Sequence, residues 1–269
     1  MTEFAVAPPR ITLLSDFGPK DAYIGVMKGV IATIAPHAIV EDLSHGISPQ
    51  NVVEGAFLLA SSHSYFPPGT IHVAVVDPGV GGDRAILAAR NEEFVFLAPD
   101  NGLLGGVFAA RPPEEIVRVE NDRFFLQPVS HTFHGRDILA PVAAHIALGV
   151  TLAELGPRHV APISRPWPAP RPESANTIHG EIIYCDHFGN CVTNVQPPRI
   201  CGRLHVQRDG APHLDLEVVR HYSQAEIGRP LALVGSAGYL EISVRDGNAK
   251  IRLAVGPGTK ICWSDGAGV

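Results

Sequence analysis

The chain of 269 residues is long enough for two domains of ordinary size, and its 45% hydrophobic content can supply a core for each. A formal net charge of −6 without any run of lysine or arginine argues against nucleic acid as a partner. No apolar stretch approaches the roughly 18 residues of a membrane-spanning helix, and the N-terminus lacks a secretory signal pattern. We therefore expect a soluble, cytoplasmic protein with no nucleic-acid or membrane partner.

The first 160 residues alternate apolar, strand-like runs with helical patterns. Four runs, at residues 11–15, 38–41, 71–76 and 94–98, lead into the carboxylates Asp16, Asp42, Asp77 and Asp100. Apolar residues at helical spacing predict a first helix over residues 21–35, which Pro36 ends. A second helix is predicted to begin at Ser48-Pro49, and a third spans 138–148 with Pro141 in its first turn. This alternation predicts an α/β domain with a mostly parallel sheet flanked by helices.

The four carboxylates are expected at one edge of this sheet, where ligands of open α/β sheets bind. Together they predict an acidic pocket, with helix capping or turn chemistry as the alternative for any one of them. The glycine-rich turn after Asp77 is not a G-x-G-x-x-G dinucleotide motif, because Arg84 occupies the position of its last glycine. We predict instead that the glycines let the backbone turn tightly and bring Arg84 back toward Asp77.

The composition changes near Pro162, where prolines begin to alternate with other residues. This pattern predicts an extended linker over residues 161–175, between an N-terminal domain (1–160) and a C-terminal domain (176–269). Short strand-like runs then predict a small antiparallel β-barrel or sandwich; they are residues 180–184, 191–195, 203–207, 214–219, 231–234, 239–244, 250–255 and 260–263. All four cysteines fall in this last third without C-x-x-C spacing, so we expect mostly buried thiols and no structural zinc.

Three polar clusters could carry chemistry. Residues 130–137 place His131, His134 and Asp137 in a turn before a helix, where a metal site is one hypothesis and a helix cap with hydrogen-bonded loop histidines is the alternative. Residues 186–190 offer hydrogen bonds and an aromatic face suited to a nucleoside or an amino acid, or else form a plain hairpin loop. Residues 235–241 have small side chains that would let a planar ring approach closely.

Together these segments resemble the S-adenosyl-L-methionine (SAM) hydrolases that form adenosine, also called SAM hydroxide adenosyltransferases, which are relatives of the fluorinases and chlorinases. Six motifs carry the resemblance in order; they are LSDFG (14–18), VDPGVG (76–81), PDNG (99–102), TFHGRD (132–137), DHFGN (186–190) and GYLEI (238–242). The resemblance implies an α/β domain followed by a barrel-like β domain. It also implies hydrolysis of SAM to adenosine and L-methionine without a metal or cofactor, in a homotrimer whose active sites lie between subunits.

The resemblance also assigns site residues. The catalytic trio would be Asp77, Arg84 and His134, with Asp16 holding the ribose hydroxyls. Further substrate-binding positions are Asp21, Asp186, Asn190, Tyr222, Ser236, Tyr239, Glu241 and Val244. In the halogenases a tyrosine replaces the catalytic Asp and the His is missing, so the trio favours a hydrolase. Gly235 stands where the family pattern suggests asparagine, which leaves the details of adenine recognition open.

The substrate chemistry predicts what these side chains must do. The ribose 5′ carbon carries a sulfonium, already a good leaving group, so the missing component is an oriented and partly deprotonated water. Because a carboxylate paired with arginine is a weakened base, we expect Asp77 and Arg84 to orient the water and His134 to accept its proton. The alternatives are halide-dependent adenosyl transfer, a SAM or nucleoside-binding protein without turnover, and a zinc hydrolase built on His131, His134 and Asp137.

Overall fold

The computed structural model describes residues 7–163, 167–208 and 210–265, which divide into two units, Met1–Pro166 and Trp167–Val269. The strands of the first unit are β1 (Arg10–Ser15), β2 (Ile39–Ser44), β3 (Ile71–Val75), β4 (Ile86–Arg90), β5 (Val95–Pro99) and β6 (Glu115–Arg118). Its helices are α1 (Tyr23–Ile34), α2 (Val52–Ser62), α3 (Gly105–Ala110), α4 (Ala140–Ala147) and α5 (Leu152–Leu155). No helix among the described residues is long and apolar enough to cross a membrane.

The first unit contains one six-stranded sheet in the order β2-β1-β3-β5-β4-β6. Strands β2, β1, β3 and β5 run parallel, and β4 runs antiparallel to both of its neighbours. All residues of β3 and β5 are buried, as expected for strands covered on both faces. The predicted mostly parallel sheet with flanking helices is confirmed, although β4 and β6 were not predicted from the sequence.

The helix boundaries follow the predicted pattern with one correction. Helix α1 buries Met27 and Ile31, one turn apart, and packs against α4, which carries its proline in the first turn. The second helix does not open at Ser48-Pro49: Gln50 adopts a left-handed φ of +65°, which a helix cannot include, and Asn51 is the N-cap. The side-chain oxygen of Asn51 accepts a hydrogen bond from the backbone N–H of Glu54 at 3.1 Å.

The second unit is a closed β-barrel. Its strands are β7 (Arg171–Ser174), β8 (Thr177–Cys185), β9 (Cys191–Thr193), β10 (Arg203–Val206), β11 (Leu214–Val219), β12 (Pro230–Val234), β13 (Leu240–Val244) and β14 (Lys260–Ser264). Seven strands close the barrel in the order β14-β10-β11-β12-β13-β9-β8, and β14 pairs again with β8. The pairing is antiparallel, as predicted, except between β11 and β12.

Two segments of this region differ from the sequence expectations. Residues 250–255, predicted as a strand, belong mainly to helix α6 (Ala249–Leu253), because Asn248 caps it and Ala249 and Leu253 are buried on one helical face. Within the predicted 161–175 linker, residues 171–174 form β7, which pairs with β8 at the edge of the barrel. Residues 164–166 of that segment lie outside the described residues.

Candidate active site

A pocket of about 560 Å³ opens in the first unit where β1 and β3 end. Asp16 directly follows β1, Asp77 lies two residues beyond β3, and His134 comes from the loop before α4. All three line the pocket, and the parallel sheet thereby brings together Asp16 and Asp77, which the sequence placed at its carboxyl edge.

Arg84 connects the two sides of this pocket. Its Nε donates to Asp77 Oδ1 at 3.0 Å and to Oδ2 at 2.9 Å, and its Nη2 donates to Oδ2 at 2.5 Å. The same Nη2 lies 2.8 Å from His134 Nδ1, 50 residues away in the chain. Because the Asp77 and Arg84 side chains are only 6% and 12% exposed, this is a largely buried, bidentate ion pair. The predicted return of Arg84 toward Asp77 is confirmed.

The bond from Arg84 determines the protonation of His134. A guanidinium has no acceptor, so His134 Nδ1 must accept and carry no proton, which places the proton of the neutral ring on Nε2. Burial, and then the positive charge of Arg84, lower the pKa of His134. The imidazole is therefore held neutral, with its one lone pair engaged by arginine.

Gly81 allows the two loops of the trio to touch. Its φ is +79°, and a Cβ built at this position would stand 2.2 Å from the backbone oxygen of His131. A side chain is therefore excluded both by backbone conformation and by contact. Gly81 is therefore the glycine of the turn after Asp77 that packs against the loop preceding His134.

Asp16 is held by backbone contacts on the other side of the pocket. Its Oδ2 accepts from the backbone N–H of Gln50 at 2.7 Å, and both residues line the pocket. The left-handed backbone of Gln50 is an uncommon conformation for a residue with a side chain, and it occurs here beside the pocket.

A chain of polar side chains behind Asp16 was not identified from the sequence. Ser15 Oγ lies 2.7 Å from His45 Nδ1, His45 Nε2 lies 3.0 Å from Asp42 Oδ1, and Lys28 donates to Asp42 Oδ2 at 2.7 Å. The same Ser15 oxygen accepts from the backbone N–H of Phe17 at 3.3 Å. This network fixes the backbone on both sides of Asp16; the Asp-x-x-His spacing of Asp42 and His45 was its only signal in the sequence.

The other two carboxylates expected at the sheet edge lie outside the pocket lining; Asp100 directly follows β5, whereas Asp42 lies within β2, which continues to Ser44. Asp42 belongs to the network just described, where hydrogen bonds from Lys28 and His45 lower its pKa against the opposing effect of burial. Asp100 Oδ2 lies 3.1 Å from His159 Nε2, and Oδ1 accepts from the Ile163 N–H at 2.8 Å. The expected four-carboxylate pocket therefore contains two, Asp16 and Asp77.

The zinc alternative is not supported by the geometry of the 130–137 loop. Asp137 is fully buried, where it accepts from Arg136 and from the Ser130 N–H, and these bonds hold its pKa below the usual value although burial acts to raise it. Across the described residues, no three His, Cys, Asp or Glu side chains are grouped to hold a metal. Asp137 lies in the π-helical turn Gly135–Leu139 that leads into α4, where it holds Ser130 and Arg136 and is not part of a ligand set with His131 and His134.

An aromatic wall borders the pocket. The ring centroids of Phe17, Tyr23 and Phe133 lie 5.0–5.7 Å apart, in tilted and edge-to-face arrangements. Asp21 lines a neighbouring cleft that shares Tyr23 and Phe133 with this pocket. The pocket thus combines an apolar side with two carboxylates and an imidazole, which suits a ligand that has both a planar ring and polar groups.

The second unit contains a separate polar cluster. The Asp186 carboxylate accepts from the backbone N–H and the side-chain amide of Asn190 at 2.8 and 3.0 Å. Tyr222 donates to Glu241 Oε1 at 2.7 Å, and burial followed by this bond raises the pKa of Tyr222. Asn190, Tyr222 and Val244 line one cleft of about 460 Å³, to which Glu241 is connected through Tyr222.

The two remaining sequence-assigned residues lie near the turn between β12 and β13. Ser236 is exposed, and Tyr239 is half-buried, with burial raising its pKa. Neither lines the cleft of Asn190 and Tyr222. The structure thus groups three of the assigned residues of this unit in one cleft and places these two outside its lining.

Comparisons with known proteins identify the family. The model of the SAM hydroxide adenosyltransferase N-terminal domain matches residues 11–156, and that of the C-terminal domain matches residues 180–262. An (R)-S-adenosyl-L-methionine hydrolase of Thermus thermophilus is 35% identical over 93% of this chain and 98% of its own length. A fluorinase of Actinoplanes is 27% identical over 87% of this chain and 90% of its own.

A solved structure agrees with the sequence matches. An uncharacterized conserved protein from Thermotoga maritima superimposes with a TM-score of 0.86 at 34% identity, covering 94% of this chain and 99% of that protein. The family models, the relatives and the fold all span the greater part of the chain. It belongs to the SAM hydroxide adenosyltransferase family.

Proposed function

We propose that this protein hydrolyses SAM to adenosine and L-methionine. The observation that carries the proposal is the connection of Asp77 and His134 by Arg84, beside Asp16, in one pocket. Relatives more than 30% identical over nearly the whole chain are named as hydrolases of the (R) form of this substrate. We extend that stereochemical preference to this chain as part of the proposal.

The reaction requires a well-placed nucleophile. A water oxygen forms a bond to the ribose 5′ carbon while the carbon–sulfur bond breaks. The electron pair of the breaking bond passes to sulfur and gives a neutral thioether. One proton leaves the water, so SAM and water yield adenosine, methionine and a proton. Since the sulfonium leaves without acid or Lewis-acid help, we propose a metal-independent reaction in which the protein aligns water along the breaking bond.

The hydrogen bonds around Asp77 favour this carboxylate as the group that holds the water. Oδ2 accepts two bonds from Arg84, whereas Oδ1 accepts only the 3.0 Å bond from Nε among the hydrogen bonds of the described residues. A carboxylate oxygen has a second lone pair, and that of Oδ1 is the one available for a water O–H. Arg84 orients the carboxylate and offsets its charge.

The role proposed for His134 therefore differs from the sequence expectation. Its Nδ1 lone pair already accepts from Arg84, so taking a proton from water would require breaking that bond. We assign His134 to holding the guanidinium in place, and Asp77 Oδ1 to accepting the proton as the carbon–oxygen bond forms. Asp16 would hold the ribose hydroxyls, because carboxylate oxygens are strong acceptors for vicinal hydroxyl groups.

Product analysis tests the proposal. The purified protein is incubated with each sulfonium epimer of SAM in the presence of a chelator, with and without chloride or fluoride, and the products are separated by chromatography. We expect equal amounts of adenosine and L-methionine from the (R) epimer, at a rate independent of halide and chelator. A 5′-halogenated nucleoside would instead indicate a halogenase, while stable binding without any product would indicate a binding protein.

The assembly completes the proposal. The residues assigned to the substrate are divided between the two units, and we propose a homotrimer in which the first unit of one subunit and the second unit of its neighbour together form each site. Mixing inactive Asp77→Ala subunits with inactive Asn190→Ala subunits should then restore activity, because some interfaces pair two intact halves. A fully active monomer in light scattering, or exchanged subunits that stay inactive, would contradict the shared site.

A further inference from the structure

Two cysteines of the second unit face each other across neighbouring strands. Cys185 ends β8 and Cys191 begins β9, and the two residues are direct partners in the antiparallel ladder. Their Sγ atoms are 2.9 Å apart. Neither thiol has a part in the function proposed above.

The position of this pair in the ladder suits a covalent bond. The backbone N–H of Asp186 donates to the backbone oxygen of Asn190 at 2.9 Å, so these two residues form a hydrogen-bonded pair of the ladder. The neighbouring pair, Cys185 and Cys191, therefore takes a non-hydrogen-bonded position. The Cα atoms of such pairs are about 4.5 Å apart, within the separation of about 4.4–6.8 Å that disulfides span. Closing the sulfurs to a bond of about 2.05 Å would move them by less than about 1 Å.

We propose that Cys185 and Cys191 form a reversible dithiol–disulfide site, oxidised by a small-molecule disulfide of the glutathione class. The bond would close the neck of the hairpin loop that carries Asp186 and Asn190. Two protein thiols and one glutathione disulfide would yield one protein disulfide and two glutathione thiols, so atoms and electrons balance.

The burial of the two thiols sets the order of the steps. Cys191 is fully buried, and its hydrogen bond with Cys185, followed by burial, raises its pKa, whereas Cys185 is partly exposed. The Cys185 thiolate therefore attacks the small disulfide first, forming a mixed disulfide and releasing one glutathione thiolate. Cys191 then gives its proton to the released glutathione thiolate, and its sulfur attacks Cys185 Sγ, which breaks the mixed bond. The second glutathione leaves as a thiolate and takes from water the proton that Cys185 lost on ionising.

The disulfide would restrain a loop that is already internally bonded. Besides the Asp186–Asn190 contacts, the Gly189 oxygen accepts from the Lys250 N–H at 3.0 Å, and a Cβ on Gly189 would overlap Asn248. The loop therefore has little room to move, and the cross-link should hold it close to its present shape. The inference that the disulfide preserves contacts between this loop and the substrate rests on the proposed function, whereas the formation of the disulfide itself is independent of that function.

The test uses the 269-residue chain with Cys201→Ser, because Cys201 is exposed and would form mixed or intermolecular disulfides. The reduced variant has three cysteines and is equilibrated with oxidised glutathione while folded. We expect the thiol count in denaturant to fall from three to one and the intact mass to fall by about 2 Da, with both reversed by a reductant. Peptide mapping should find Cys185 and Cys191 joined within one protomer.

Matched variants keep the outcome interpretable. Cys185→Ala or Cys191→Ala in the same background should abolish the loss of two thiols, and circular dichroism verifies that each variant is folded. A count that stays at three, a glutathione adduct that persists on Cys185, or a cross-link to Cys262 would overturn the proposal. None of these readouts requires SAM turnover, so a failed hydrolysis assay and a failed oxidation are distinguishable.

Discussion

The buried pair of Asp77 and Arg84 gives a quantitative prediction about stability. Arg84→Met removes the charge but keeps much of the side-chain volume, which leaves Asp77 without its counter-charge at a site where only 6% of its side chain is exposed. Breaking a buried pair from one side costs about 3–5 kcal/mol. Since the carboxylate borders a pocket that water can enter, we expect about 3 kcal/mol, the lower end of that range.

The double-mutant cycle isolates the interaction between the charges. Asp77→Asn alone should cost about 2 kcal/mol, because Arg84 then stays buried without its carboxylate. With both substitutions no uncompensated charge remains, so the total should be about 3 kcal/mol and not the sum of about 5, a coupling of about 2 kcal/mol.

The design of the measurement follows from the position of the tryptophans. Both Trp167 and Trp263 belong to the second unit, so urea unfolding of the first unit is followed by far-ultraviolet circular dichroism, with tryptophan fluorescence reporting the second. Additivity within about 0.5 kcal/mol, or an Arg84→Met cost below about 1 kcal/mol, would refute the reasoning that Asp77 and Arg84 form a buried, interdependent pair.

Three further predictions concern residues around the pocket. Gly81→Ala should destabilise the first unit by at least about 2 kcal/mol in urea unfolding, because of its positive φ and because the added Cβ would meet the His131 carbonyl. Gly18→Ala is the control: its φ is also positive, but no atom lies near the added Cβ, so it should cost only about 1 kcal/mol, and equal costs for the two variants would contradict this. His45→Ala should lower the free energy of unfolding by about 1–3 kcal/mol and raise KM more than it lowers kcat, while Lys28→Ala at the exposed end of the same network should change that free energy by less than about 1 kcal/mol. A His45→Ala variant with unchanged stability and unchanged KM would contradict the role given to this network. His134→Ala should lower kcat by about 10²–10⁴-fold and His134→Gln by less, since glutamine can also accept from arginine; identical losses in both variants would instead support a base. The wild-type rate should fall as the pH drops through the lowered pKa of His134, which lies under the ordinary value of about 6.5, because protonation of the ring breaks that bond.

The lowered pKa of His134 also has a consequence for stability. The folded state favours the neutral ring, so its contribution is fully present above the unfolded pKa of about 6.5 and is lost as the pH falls toward the lower folded pKa. Urea unfolding in this acid window should show a smaller pH dependence in His134→Gln, which does not titrate. An unchanged dependence would assign the acid sensitivity to other groups.

Much of the fold could be predicted from local patterns. Apolar runs that lead into a carboxylate identified β1, β3 and β5, because buried parallel strands are apolar on both faces. The same pattern also identified β2, although this strand lies at the edge of the sheet, has no fully buried residue and contains its carboxylate, Asp42. Strand β4, with its two alanines, has no such signal, and its antiparallel pairing depends on contacts with β5 and β6. The apolar pattern of residues 250–255 is compatible with a strand as well as a helix, and the N-cap that Asn248 provides favours helix α6.

Two contacts of the site could be predicted from the sequence: the meeting of Asp16 and Asp77 where parallel strands end, and a pairing between residues close in the chain. Asp77 and Arg84 lie seven residues apart around a glycine-rich turn, so their pairing followed from the residues themselves. His134 is 50 residues further on: its local pattern predicted a polar cluster, but its place beside Asp77 and Arg84 came only from the family resemblance, since no local pattern specifies a contact made by folding. The link between Ser15 and His45 was missed for the same reason: it joins the end of β1 to the loop after β2.

The single guanidinium of Arg84 that bridges two loops also bears on how this pocket should receive a ligand. Its fork already holds the carboxylate and the imidazole in place without any ligand, so their ordering is complete before binding and does not reduce the affinity. Binding should therefore be close to rigid docking in this half of the protein, with similar hydrogen-exchange rates in the 77–84 and 130–137 segments before and after ligand is added. Such preorganisation would also place the polar groups where charge develops, so that little reorientation remains for the moment at which the carbon–sulfur bond breaks.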